Sequence, residues 1–185
     1  ILGLTPAQSG KVVFHGEDIT ALRTFEVAAR GIGYVPENRI IFSALSVEEN
    51  LRLAERTKGD LDAKSEMIFS LFPDLKRLIK LPGTSLSGGQ QQMLAVARAL
   101  VPDNRLLLID EPSEGLAPVL IEQMMEAIRQ LAQKTTVVLV EQNFIVASRL
   151  ATKYVIVEEG RSVKAGAMAD LVDDRETIVK YLGAA

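Results

Sequence analysis

Residues 85–112 read SLSGGQQQMLAVARALVPDNRLLLIDEP, and the order of patterns within this stretch decides the fold. A serine and two glycines stand directly before a run in which Met93, Leu94, Val96, Ala97, Leu100 and Val101 follow helical spacing. Residues 90–101 should therefore form a helix with one buried face. The run LLLI (106–109) has no polar break, the mark of a strand covered on both sides in a parallel sheet. Two carboxylates, Asp110 and Glu111, follow where that strand should end, and open α/β sheets bind ligands just beyond the carboxyl ends of their strands.

Working outward, TVVLV (136–140) repeats the pattern of a doubly covered strand, and Ile121, Met124, Met125, Ile128 and Leu131 mark a helix between the two runs. Strand, helix, strand in this order predicts a right-handed crossover. KYVIVEEGRSVKAG (153–166) reads as two strands around Glu158-Glu159-Gly160, with two short helices after it. Upstream, KVVF (11–14) is a short strand ended by the turn-forming HGED, TFEVAARGI is a short helix stopped at Gly31, and IGYVP (32–36) is a strand. Ser46 with Glu49 three residues later forms a capping box, which predicts a helix over VEENLRLAERTK (47–58); AKSEMIFSLF (63–72) predicts another. The class is α/β, with a mostly helical stretch, 43–101, set between two strand-bearing parts, 1–42 and 102–185.

Composition excludes several functions. Of 185 residues, 48% are hydrophobic and 24% charged, enough apolar material for one soluble core. A net charge of -3 with mixed signs gives no basic field for nucleic acid and no polybasic cluster for lipid. Cysteine is absent, which excludes disulfides and thiolate metal sites. No apolar run approaches the roughly 18 residues of a membrane span. The N-terminal ILGLTPAQSG has no basic region and no long apolar region, so it does not read as a signal peptide; it begins without methionine and already inside apolar sequence, as a fragment would.

The chemistry gathers at a few positions. Asp110 suits a magnesium ion, which keeps most of its waters and takes a single carboxylate beside phosphates, and Glu111 is a candidate base for an attacking water. In LSGGQ (86–90), glycines let backbone N–H groups approach an anion, the helix start adds unpaired donors and a positive dipole end, and Ser87 adds a hydroxyl. Read alone, Ser87 is equally a plain helix cap and Asp110-Glu111-Pro112 a plain strand end. His15 lies in a strand-to-turn stretch far from these motifs and takes no role.

LSGGQ followed about twenty residues later by LLLIDEP resembles the ATP-binding subunits of ABC transporters, matching their signature and Walker B segments. The likeness runs along the chain through SGKVVFHGEDIT, GYVPENRIIFSALSVEENL, DEPSEGLAP, LVEQN and YLG, and is strongest to ATPases of branched-chain amino-acid importers. It implies a P-loop NTPase-type three-layer core, incomplete here, in 1–42 and 102–185, with 43–101 as a helical subdomain that ends in the signature. It also implies two ATPase subunits sandwiching ATP and Mg²⁺, transmembrane permease subunits, a substrate-binding protein, and residence on the cytoplasmic face of the membrane. Ser87, Gly88, Gly89 and Gln90 would touch the partner's ATP, Asp110 would serve Mg²⁺ and Glu111 would polarise the water. SEGLAP (113–118) resembles the D-loop. Glu37 stands where the family's Q-loop usually has glutamine, and Gln142 where many relatives carry a switch histidine; an amide still hydrogen-bonds but carries no charge.

A Walker A loop, G-x-x-x-x-G-K-[ST] opening a helix, is not found. The sole Gly-Lys pair, Gly10-Lys11, has no glycine five positions earlier, Val12 in place of the hydroxyl, and a strand after it. The resemblance places the loop just before Ile1, with Ile1 to Leu4 as the tail of its helix. Without that cradle the isolated 185-residue polypeptide is expected neither to bind nor to hydrolyse ATP appreciably, and to leave apolar surface uncovered. A urea or short-chain amide importer, or a fragment acting only as a docking module, stays open as an alternative. An ABC-type ATPase acting on ribosomes or DNA fits less well, since neither tandem cassettes nor long coiled-coil insertions are visible.

Overall fold

The computed structural model describes residues 1–183; the last two residues of the 102–185 range fall outside it. Its centre is a parallel sheet of β3 (Ile32–Val35), β4 (Leu106–Asp110) and β5 (Thr136–Val140), in that order across the sheet. Ile32 pairs with Leu106 and Leu106 with Thr136, so all three strands end on the same side, at Val35, Asp110 and Val140.

One face of β4, through Leu107 and Ile109, joins the large core. That core also holds α5 (Gly88–Leu100) and α6 (Pro118–Ala132), and α2 (Val47–Arg52), α3 (Asp60–Leu71) and α4 (Pro73–Arg77) contribute to it through Leu51, Ile68 and Leu75. The other face, through Leu106 and Leu108, packs with Ile32, Val27 of α1 (Thr24–Ala29) and Ile19, which follows the small antiparallel pair β1 (Val13–Phe14) and β2 (Glu17–Asp18). Helices on one side and the α1 segment on the other give the three layers expected of an α/β core.

After β5, α7 (Phe144–Leu150) leads to an antiparallel hairpin, β6 (Lys153–Glu158) and β7 (Arg161–Ala167). The hairpin packs with α8 (Met168–Asp173) and α9 (Arg175–Leu182) in a third core around Ile156, Met168, Leu171 and Ile178. His15 lies exposed in the β1–β2 turn at φ 48°, away from the other motifs.

Four features depart from the sequence reading. The strand at 11–14 spans only Val13–Phe14. The helix predicted over 47–58 stops at Arg52: Ala54 and Glu55 donate to Leu51 O and Arg52 O in tighter turns, and carboxylates capture donors beyond them. Asp60 Oδ2 accepts from the N–H groups of Arg56 and Thr57 at 3.0 and 2.9 Å, and Glu55 Oε1 from those of Gly59 and Leu61 at 3.2 and 3.0 Å. β5 is covered on one face only: Val137 and Leu139 reach the large core, whereas Val138 and Val140 are 42% and 52% exposed, because the cover given by α1 and the N-terminal segment stops at β4. Ile1 to Leu4 are not helical, and Gly3 takes a left-handed φ of 69°.

Candidate functional site

The carboxyl end of the sheet carries the candidate chemistry. Asp110 closes β4, half-buried, and its Oδ2 accepts a bond from the Tyr34 hydroxyl at 3.4 Å. Burial, followed by the negative charge of Asp110, pushes the Tyr34 phenol above its ordinary value, so it remains a donor. Glu111 continues the ladder by donating its backbone N–H to Val140 O at 2.9 Å, then turns left-handed at φ 44°. For a residue with a Cβ this conformation costs about 1–3 kcal/mol and persists where surrounding contacts over-determine it. Here buried Pro112 follows, and the next N–H, of Ser113, is bonded to Glu141 Oε1 at 3.2 Å.

The loop after β5 meets the loop after β4. Gln142 Nε2 donates to Glu111 Oε1 at 2.8 Å. Its neighbour Glu141 holds Ser113 on one side and accepts from Asn143 N at 3.3 Å on the other, and Asn143 caps α7 by accepting from Ile145 N and Val146 N. The amide at 142 is thus not a free strand-end group.

Glu37 comes from the loop after β3. One carboxylate oxygen each from Glu37, Glu111 and Glu114 lie within 4.8 Å of one another. The charge of Glu114, then loss of solvent, then Glu111 and Asp110 push the Glu37 carboxyl above its ordinary value. The donors here are oxygens alone, the set that hard divalent cations take, so Asp110 and this cluster fit Mg²⁺.

The signature turn is built differently from the sequence picture. Ser87 caps α5 in a reciprocal box: its Oγ accepts from Gln90 N at 3.3 Å, and its N–H donates to Gln90 Oε1 at 2.9 Å. Gly88 and Gly89 are the first helical residues. Gly89 is buried, and an added Cβ would stand 2.2 Å from Leu120 Cδ1, the end of a side chain on α6, so with this glycine Leu120 packs against α5 without shifting. At Gly88 a Cβ would stand 2.6 Å from Arg39 Nη1. The structure therefore brings Asp110, Glu111, Gln142 and Glu37 together at the strand ends, and sets Gly88 against Arg39 and Gly89 against Leu120, while Ser87 and Gln90 bond each other.

Sequence reading missed Tyr34, Arg39, Glu114 and Glu141. Tyr34 was within reach, being the polar residue of a strand whose parallel neighbour ends in Asp110. The other three lie in loops, where no periodicity reports direction. Lys11 stands just before β1 and not at a helix head, with its Nζ 3.7 Å from Asp18 Oδ2.

Residues 1–114 match the family described as ABC transporter. The chain is 40% identical over 186 residues to the high-affinity branched-chain amino acid transport ATP-binding protein BraG of Pseudomonas aeruginosa, covering 99% of this chain and 80% of that protein. It is 34% identical over 177 residues to the probable branched-chain amino acid transport ATP-binding protein LivF of Archaeoglobus fulgidus, covering 94% and 75%. A crystal structure of the ADP conformation of an ATP-binding cassette of an ABC transporter superposes with a TM-score of 0.83 at 21% identity, covering 100% of this chain and 81% of that one. Together with the carboxylates at the end of β4 and the capped LSGGQ turn, these matches place the chain in the ABC transporter family, with the fold of its ATP-binding cassettes.

Proposed function

We propose that the chain is an ATP-hydrolysing subunit of an importer that takes up branched-chain amino acids. The observation that carries the hydrolytic part is Glu111, held in a left-handed turn at the strand end with Gln142 donating to its carboxylate. A base must be fixed toward the proton it removes, and these contacts leave one Glu111 carboxylate oxygen for a water. The substrate reading is supported by the likeness to two proteins named for branched-chain amino-acid transport.

In this reading Asp110, oriented by Tyr34, serves Mg²⁺, which when bound would neutralise charge on the phosphates. Ser87, Gly88, Gly89 and Gln90 offer a helix start to the terminal phosphate of ATP held by a second ATPase subunit. Glu37 adds a carboxylate close to Glu111 and Glu114. The two parts 1–42 and 102–185 act as the ATPase core, with 43–101 as a helical subdomain. No helix among the described residues is long and apolar enough to cross a membrane. Permease subunits would therefore hold the protein at the cytoplasmic face, with a substrate-binding protein beyond them. A structural relative from Clostridium perfringens with a TM-score of 0.79 is described as part of an ABC transporter complex.

The test is reconstitution of the ATPase pair with its permease in liposomes. ATP hydrolysis stimulated by binding protein loaded with leucine, isoleucine or valine supports the proposal. Stimulation only by urea or a short-chain amide transfers it to that substrate class, and no hydrolysis with a competent partner ATPase leaves a docking module.

A further inference from the structure

Three loops far apart in sequence meet at one side chain. Arg39 Nη2 donates to the Glu114 backbone oxygen at 2.7 Å, across 75 residues. Its Nη1 occupies the space that a Cβ on Gly88 would take, and its Nη2 would stand 2.8 Å from a Cβ on Gly115, which is itself left-handed at φ 63°. The guanidinium thus lies between the first residue of α5 and the turn that follows Glu111, and the absence of side chains at Gly88 and Gly115 makes room for it.

The placement is built from the backbone outward. Arg39 is left-handed at φ 48°, with its N–H donated to Glu37 O at 2.9 Å. The chain beyond it is anchored twice: Arg98 Nη1 donates to Ile40 O at 2.7 Å, and buried Asn50 bonds both the N–H and the C=O of Phe42. Among the described residues Arg39 enters no ion pair. Its side chain bonds a backbone carbonyl instead, so its place is set by geometry and not by charge pairing.

We propose that Arg39 is a positioning residue that fixes the start of α5 relative to the turn 113–117, and through Glu114 relative to Glu111. The proposal rests on the reading that this chain hydrolyses ATP with its base at Glu111 and a phosphate at the start of α5. The planar fork of arginine spans both neighbours at once, whereas a lysine can reach only one acceptor. Without it, the turn and the helix start are joined only through the packing of Gly89 against Leu116 and Leu120, and misplacement of about 1 Å at a catalytic group is enough to lower turnover by large factors.

Two measurements on the assembled transporter decide this. In the ATPase assay, Arg39→Ala should lower kcat about tenfold with KM for ATP within about twofold, and Arg39→Lys, which keeps only one of the two contacts, should recover only part of that loss. Spin labels on Ser85→Cys and Ala117→Cys, introduced into a chain that contains no cysteine, report the spacing directly. Their distance distribution should be narrow in the native protein, broad in Arg39→Ala and of intermediate width in Arg39→Lys, with the melting temperature unchanged. An unchanged distribution in Arg39→Ala, or a kcat within twofold of native, overturns the proposal, as does a loss explained by KM or by melting. If the native complex hydrolyses no ATP, the hydrolytic reading fails separately, and the label distances alone still judge the role of Arg39.

Discussion

Gln142 and Glu111, thirty-one positions apart, are joined by a 2.8 Å hydrogen bond from amide nitrogen to carboxylate oxygen. The donor sits after β5 and the acceptor after β4, so their contact follows from the parallel pairing of those strands. Gln142→Ala frees Glu111 to rotate, and steady-state ATPase assays should show kcat lower by about tenfold. Gln142→Glu replaces the donor by a second carboxylate and should cost more than the alanine.

Glu111→Gln keeps the size of the side chain while removing its ability to take a proton. Turnover should fall by about 10²-fold or more, the scale of general-base catalysis, with ATP affinity of the assembled complex retained. Single-turnover hydrolysis beside nucleotide binding separates the two effects; equal losses in both would assign Glu111 to binding.

Glu37 gives a pH signature. Its folded carboxyl is raised from the ordinary value of 4.5, chiefly by Glu114. The native state therefore holds this proton more tightly than the unfolded chain, so stability falls as pH rises from that ordinary value through the raised one. Glu37→Gln removes the repulsion. Its melting temperature should exceed that of the native protein near neutral pH, and the gap should close below the ordinary carboxylate range.

Gly89→Ala places a methyl group 2.2 Å from Leu120 Cδ1 at the contact between α5 and α6. Overpacking of this kind costs about 1–3 kcal/mol, readable as a lower urea midpoint. Leu120→Ala in the same background should recover part of the loss.

The open face of β5 carries Val138 and Val140, and Tyr34, which is 37% exposed, lies on the same face of the sheet across β4. The 185-residue polypeptide should self-associate through this surface, seen as concentration-dependent sedimentation. Val138→Ser with Val140→Ser should reduce it.

The pattern of LLLI and TVVLV, and the helical spacing from Ile121 to Leu131, were enough to place β4, α6 and β5. The capping box of Ser46 and Glu49 marked the start of α2, being a local device with a local signature, and Ser87 was readable as a cap of α5, although its partner Gln90 was not singled out. Asp110 and Glu111 were legible for the same reason, since a strand end is visible in one dimension. The end of α2 was not, because the carboxylates of Glu55 and Asp60 compete for backbone donors only once the loop has closed. The open face of β5 was hidden because a continuous apolar run reads alike whether its cover is present or not. Arg39 and Glu114 belong together only through 75 residues of intervening fold.

Ser87 has a further consequence for how any mutational scan of this turn is interpreted. A hydroxyl has one proton to give and lone pairs to receive with, and the bond from Gln90 N uses only the receiving side. The proton stays available, so in the proposed function a single atom would both close the helix and meet an oxyanion. Replacing the residue by alanine would blur folding and recognition in one readout, whereas threonine, which keeps both capacities, would hold them together.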